Sequence, residues 1–189
     1  MRRPVKTLAL FRHAKSGWAD PRARDFDRPL SERGEQGAVL MGRHIREYRK
    51  QHGLRFERVL ASPAVRVAET IEHASKGAGS SLPVEWDRRI YLASSATLID
   101  LLRELEGDPT AVLMVGHNPG LEDVIFDLVP DDGSSPLRDE VEVKFPTAAF
   151  AVLELDVERW ADLAQGCARL VALTRPRDLD PRLGPEPAS

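Results

Sequence analysis

Residues 8–18 read LALFRHAKSGW. Four apolar residues run straight into Arg12-His13, and a lysine, a serine and a glycine follow. A short, nearly continuous apolar run closed by polar and glycine residues reads as a strand buried on both faces. Such strands belong to parallel sheets covered by helices. The reading therefore assigns residues 5–11 to a central strand and places Arg12 and His13 where that strand leaves the core.

The rest of the chain fits that start. Further strands are expected at 56–61 (FERVLA), 82–86, 111–115 (AVLMV), 148–155 and 168–173. Helical patterns lie between them. Ser31, with Leu30 before it, reads as the N-cap of a helix whose apolar face includes Ala38, Leu40, Met41 and Ile45. Ser62 reads as an N-cap with Pro63 in the first helical position. Residues 97–105 have helical spacing, Pro119 starts another helix, and a short helix is expected around 158–164. Residues 130–136 read as a loop. Strands alternating with helices imply an α/β fold, a three-layer sandwich with a mostly parallel central sheet and helices on both faces. We expect one domain over 1–175 and a proline-rich, flexible C-terminal tail over 176–189.

Composition narrows the partners. The chain has 189 residues, 42% hydrophobic and 30% charged, with a net charge of -3. No global basic field suggests nucleic acid or anionic lipid, so anion binding must come from a local cluster. Cys167 is the single cysteine, which excludes an internal disulfide and a multi-cysteine zinc site. The N-terminal apolar run is too short for a signal peptide and no stretch reaches the ~20 residues of a membrane span. The expectation is a cytoplasmic protein.

In open α/β sheets ligands bind beyond the carboxyl ends of strands. Three expected strands end at Arg12-His13, at Ser62-Pro63 with Arg66 one turn on, and at His117-Asn118. If those strands are neighbours, two arginines and two histidines meet in one crevice. Arginine forks suit phosphoryl oxygens, and helix N-termini add to the field. A neutral imidazole in that trap can attack phosphorus, and the second histidine can donate a hydrogen bond to the phosphoryl oxygens. No metal or other cofactor is called for.

These residues carry a family resemblance. Arg12-His13-Ala14 resembles the Arg-His-Gly signature of the histidine phosphatase (phosphoglycerate mutase-like) superfamily. Residues 28–34 (RPLSERG), 62–70 (SPAVRVAET) and 116–118 (GHN) resemble its further elements in order. The short chain and the Arg-Pro-Leu-Ser segment look most like the SixA-type phosphohistidine phosphatases. The resemblance implies the phosphoglycerate mutase-like fold, His13 as nucleophile, Arg12 and Arg66 holding the phosphoryl group, and His117 as second pocket histidine. It also implies a phosphorylated protein, dephosphorylated at histidine, as substrate.

Departures sharpen the substrate question. Ala14 replaces the usual glycine, tolerable unless the backbone there needs positive φ. Ala19 stands where mutase-like members often carry a phosphate-binding asparagine. Tyr91 falls where members acting on esters have an acidic glutamate. An alkoxide leaving group needs a proton donor, whereas phosphohistidine leaves as a neutral imidazole. Asp20, Asp25, Asp27, Glu85 and Asp87 are the other candidates for an acid. Lys15 and Arg28 either guide phosphate in or face solvent, and Trp18 either contacts a partner or anchors its loop. Two rivals stand beside the leading reading: a phosphomonoesterase for a small phosphorylated molecule, and a catalytically silent phosphate-binding protein.

Overall fold

The computed structural model describes residues 5–185. Arg2 and Arg3 of the N-terminal stretch, and 186–189 of the expected tail, lie outside the described residues. Six strands form one sheet: β1 (Lys6–Arg12), β2 (Arg58–Ala61), β3 (Glu85–Trp86), β4 (Ala111–Gly116), β5 (Phe150–Leu155) and β6 (Ala168–Thr174). Their spatial order is β3-β2-β4-β1-β5-β6. β1 pairs parallel with β4, β4 with β2 and β2 with β3. β5 runs antiparallel between β1 and β6. The sheet is thus mostly parallel, and β1 and β4, which carry Arg12-His13 and precede His117, are direct neighbours.

The period of two along β1 builds both halves of the core. Leu8 and Leu10 belong to one apolar cluster, with side chains of α3 (Ser95–Arg103) and α4 (Gly120–Leu128). Ala9 and Phe11 belong to the other, with side chains of α1 (Glu32–His52) and α2 (Val65–Ala78). Every residue of β4 is buried, as a central strand of a helix-covered sheet requires. Helices on both faces make three layers.

Local chemistry explains the helix ends. Ser31 caps α1 by accepting from the Gly34 N–H, and Gly53 closes it with a φ of 59°. α1 and α2 meet backbone to backbone: a Cβ on Gly42 would sit 1.9 Å from the Ala74 carbonyl oxygen. Only glycine permits that approach, which locks the C-terminal half of α2 against α1.

Several expectations differ in detail. Strand β3 covers two residues of the five in 82–86. The helix expected from Ser62-Pro63 begins at Val65, with Ala64 in the capping position and no side-chain cap. Ser62 makes a tertiary hydrogen bond instead. Residues beyond the loop at 130–136 form a helix not read from the sequence, α5 (Pro136–Val143), capped by Ser135. The short helix near 158–164 is a single 3-10 turn, Trp160–Asp162. In the segment read as a tail, Pro176–Leu179 form a short helix, α6, and Pro181–Leu183 a 3-10 turn. Arg33 donates to the Arg182 carbonyl at 3.0 Å, which ties this segment to α1.

Candidate active site

The carboxyl ends of β1, β2 and β4 open into a cleft of about 290 Å3, lined by Arg12, His13, Arg28, Arg66 and His117 among others. The four residues expected to converge do so. The His13 and His117 ring centroids are 5.3 Å apart.

His13 is buried. Its Nδ1 lies 2.7 Å from the Ala14 carbonyl oxygen. A carbonyl only accepts, so Nδ1 carries the hydrogen and Nε2 keeps its lone pair. Burial, then the charges of Arg12, Arg66 and Arg28, lower its pKa to about 4. The ring is therefore neutral near pH 7. The turn around it is held at several points. Thr70 Oγ1 accepts from the Ala14 N–H at 2.9 Å, and the Ser31 N–H donates to the Lys15 carbonyl at 2.9 Å. Gly34 has no Cβ because one would stand 2.0 Å from that carbonyl oxygen. Ala14 does not have positive φ, so its methyl costs no backbone strain.

Arg66 is 1% exposed. Its Nη1 donates to the Asp25 carbonyl at 2.7 Å and its Nη2 to Asp25 Oδ2 at 3.0 Å. Nη2 also lies 3.3 Å from His117 Nδ1. Since arginine only donates, that nitrogen accepts, and the neutral His117 ring carries its hydrogen on Nε2, directed at Ser62 Oγ at 2.8 Å. Burial, then His13 and Arg66, lower the His117 pKa to about 3. The His117 N–H is directed at Ser62, and its other nitrogen orients Arg66. Ser62 Oγ also accepts from the Ala64 N–H at 3.3 Å, ahead of the first turn of α2.

Arg12 donates from Nη1 to the Phe145 carbonyl at 2.9 Å, an acceptor it shares with the Asn118 amide. The Nε atoms of Arg12, Arg28 and Arg66 are buried without a hydrogen-bond partner. Buried cationic donors left unmet are costly, and three around one cleft are matched by an anion with several acceptor oxygens.

The structure sorts the remaining candidates. Asp25 reaches the cleft and accepts from Tyr91 Oη at 2.6 Å. That hydrogen bond, with Arg66 and Arg28, holds the Asp25 carboxyl below its usual range, so it is ionised and cannot serve as an acid near neutral pH. Tyr91 is raised by burial and by Asp25. Asp20 closes a local turn on the Arg22 N–H, and Asp27 pairs with Arg24. Glu85 pairs with Arg58, and Asp87 with Arg89. None of these four lines the cleft. Lys15 is exposed at the rim; Arg28 pairs with Asp25 at 3.2 Å. Trp18 is 67% exposed, with the Arg28 guanidinium 4.0 Å over its ring, so it does not anchor its loop in the core. Ser62 in its hydrogen-bonding role and Asn118 as an anchor for the Phe145 carbonyl were not read from the sequence. Among the described residues, no three or more His, Cys, Asp or Glu side chains gather to hold a metal ion. Among the described residues, no helix is long and apolar enough to cross a membrane.

Comparison with known proteins agrees with this geometry. Residues 8–91 match the family model of the histidine phosphatase superfamily, branch 1. A protein of uncharacterised function from Mycobacterium tuberculosis is 34% identical over 168 residues, covering 88% of this chain and all of that protein. The solved SixA of Nakamurella multipartitia is 31% identical with a TM-score of 0.74, covering 91% of this chain and 96% of its own. The SixA of Agrobacterium tumefaciens is 28% identical with a TM-score of 0.71, over 89% and 97% of the two chains. With that sequence likeness over nearly the whole length and with the sheet and cleft described above, the chain belongs to the histidine phosphatase superfamily, in its SixA-like branch.

Proposed function

We propose that this phosphatase removes phosphate from a phosphohistidine on a protein, through a covalent phosphohistidine on His13. The observation that carries the reading is the His13 ring itself: neutral, with its hydrogen fixed on Nδ1 by the Ala14 carbonyl and its Nε2 lone pair free, beside three buried guanidinium donors. The SixA relatives from Nakamurella multipartitia and Agrobacterium tumefaciens are assigned as phosphohistidine phosphatases, which supports the substrate class.

The chemistry runs in two displacements. Nε2 of His13 attacks phosphorus, and the P–N bond to the substrate imidazole breaks. A phosphohistidine ring protonated on its other nitrogen departs as neutral imidazole and takes no proton from the enzyme. Water then attacks phosphorus, the bond to Nε2 breaks, and the water's proton ends on inorganic phosphate or bulk solvent. Arg12, Arg28 and Arg66 balance the equatorial oxygen charge in both steps, a task a metal ion performs elsewhere. His117 and Asp25 hold Arg66 in place. Asp25 is ionised, and the other carboxylates considered as acids lie outside the cleft. That suits a leaving group that needs no acid better than a sugar or nucleotide ester.

The test is an acid-quench labelling experiment in chelator, with phosphohistidine protein and with phosphomonoesters as donors. Wild type is expected to trap an acid-labile phosphoenzyme, His13→Ala none, and kcat/KM to favour the phosphohistidine donor. Labelling that persists in His13→Ala, or a preference for esters, overturns the reading.

A further inference from the structure

The phosphoryl cleft has a buried floor and an open mouth. His13, Arg66 and His117 are buried, while Leu92, which lines the same space, is 54% exposed. Among the described residues that line the cleft, Leu92 has the one wholly apolar side chain. The two displacements give it no task. A large apolar side chain left in water at the edge of a cationic cleft contributes little to the core.

Leu92 also sits on a strained backbone. Its φ is 48°, in the left-handed region where a leucine Cβ crowds the chain and glycine is favoured. The turn is pinned on both sides of it. The Tyr91 N–H donates to the Arg88 carbonyl at 3.1 Å, and Tyr91 Oη donates to Asp25 Oδ2 at 2.6 Å. The Ala93 N–H donates to the Ile90 carbonyl at 3.4 Å, and a Cβ on Gly120 would stand 2.3 Å from the Ala93 carbonyl oxygen. Ser94 then caps α3 by accepting from the Thr97 N–H. Leu92 is therefore fixed to Asp25, which binds Arg66, and to the start of α4, just after His117. Strain held in this way beside reacting groups points to a task at the site.

We propose that Leu92 is a specificity-determining residue that packs on the imidazole ring of the substrate phosphohistidine. The proposal rests on the phosphohistidine reading above and names what selects its leaving group. In-line attack puts the leaving group on the far side of phosphorus from the nucleophile. His13 attacks from the buried floor, so the leaving ring faces the mouth, where Leu92 stands. Phosphoryl oxygens gain nothing from an apolar neighbour, whereas the flat face of a ring and its Cβ leave water by packing on one. The cations then hold the phosphoryl group and Leu92 orients the ring bonded to it, which fixes the P–N bond for displacement.

The experiment compares three donors with the same P–N bond: a phosphohistidine peptide, phosphoimidazole, which keeps only the ring, and phosphoramidate, which has no ring. The readout is kcat/KM for each ring-bearing donor divided by that for phosphoramidate within one enzyme, so changes in overall activity cancel. Glycine suits the φ of 48°, so Leu92→Gly removes the side chain and leaves the turn unstrained. Leu92→Gly is expected to lower both ratios about 5- to 10-fold, the share of an apolar contact on one ring face. Leu92→Met, which restores an apolar side chain of similar volume, is expected to hold them within about 2-fold of wild type. Unchanged ratios in Leu92→Gly, with the phosphohistidine peptide hydrolysed by wild type, overturn the role of Leu92 and leave the phosphohistidine reading standing. A fall for the peptide alone, with the phosphoimidazole ratio unchanged, places the contact on the polypeptide and refutes the ring. Failure of wild type to hydrolyse the phosphohistidine peptide removes both proposals.

Discussion

Acidification separates this site from an ordinary surface pair of histidines. An unperturbed imidazole has a pKa near 6.5. In the folded protein His13 is lowered to about 4 and His117 to about 3, first by burial and then by neighbouring cations. A depressed folded-state pKa means that the unfolded chain binds protons first as pH falls. The stability these neutral rings allow is fully present above pH 6.5. It is lost as pH drops from 6.5 toward 4 for His13 and toward 3 for His117. Each pKa unit is worth about 1.4 kcal/mol, so by pH 4.5 each ring contributes a loss of about 3 kcal/mol. Part of the His117 shift comes from His13, so the two losses overlap and the joint effect is smaller than their sum. The assay is urea unfolding at a series of pH values for wild type and His13→Asn. The wild-type stability is expected to fall by about 3 kcal/mol more than that of the variant between pH 7 and pH 4. Titration of the imidazole C2–H signals by NMR gives the same quantity directly, with midpoints well below 6. Parallel stability curves for the two proteins, or a His13 midpoint near 6.5, refute the neutral, desolvated nucleophile on which the mechanism depends.

Other perturbations probe the supports of the site. Gly34→Ala places a methyl 2.0 Å from the Lys15 carbonyl oxygen, a backbone atom with little room to yield; urea unfolding should show a loss of about 1–3 kcal/mol and kcat should drop with it. Ser62→Ala leaves the buried His117 Nε2–H without its acceptor, at a cost of about 1–3 kcal/mol, and nitrogen chemical shifts should show the tautomer no longer fixed. Asp25→Asn removes the carboxylate charge beside Arg66, and inhibition by inorganic phosphate should tighten about 3- to 10-fold; weaker inhibition would mean that holding Arg66 matters more than relieving its charge.

The features that could be read from the chain are those whose cause is local. An apolar run ending in Arg12-His13 marks a buried strand and its exit because every residue of it is solvent-excluded, and the same holds for 111–116 before His117. Helix α5 escaped because eight residues with a proline at the start and charges on most of its turns leave little periodic signal. Ser62-Pro63 misled for the opposite reason. The local pattern is a sound capping signal, but the helix begins three residues later, and the Ser62 hydroxyl accepts from the Ala64 N–H and the buried His117 ring. Asp25 shows what spacing cannot reveal. It is 41 residues from Arg66 and 66 from Tyr91, yet it binds both, because the chain after β1 folds back over the start of α2. Its role is visible only once that loop is closed, and it reverses the chemical expectation. A carboxylate held ionised by a tyrosine and two arginines is an anchor for Arg66, not a source of protons near neutral pH. Removing the acid from the account is what favours an N-linked phosphoryl group, whose leaving imidazole carries its own proton, over an ester whose alkoxide must be given one.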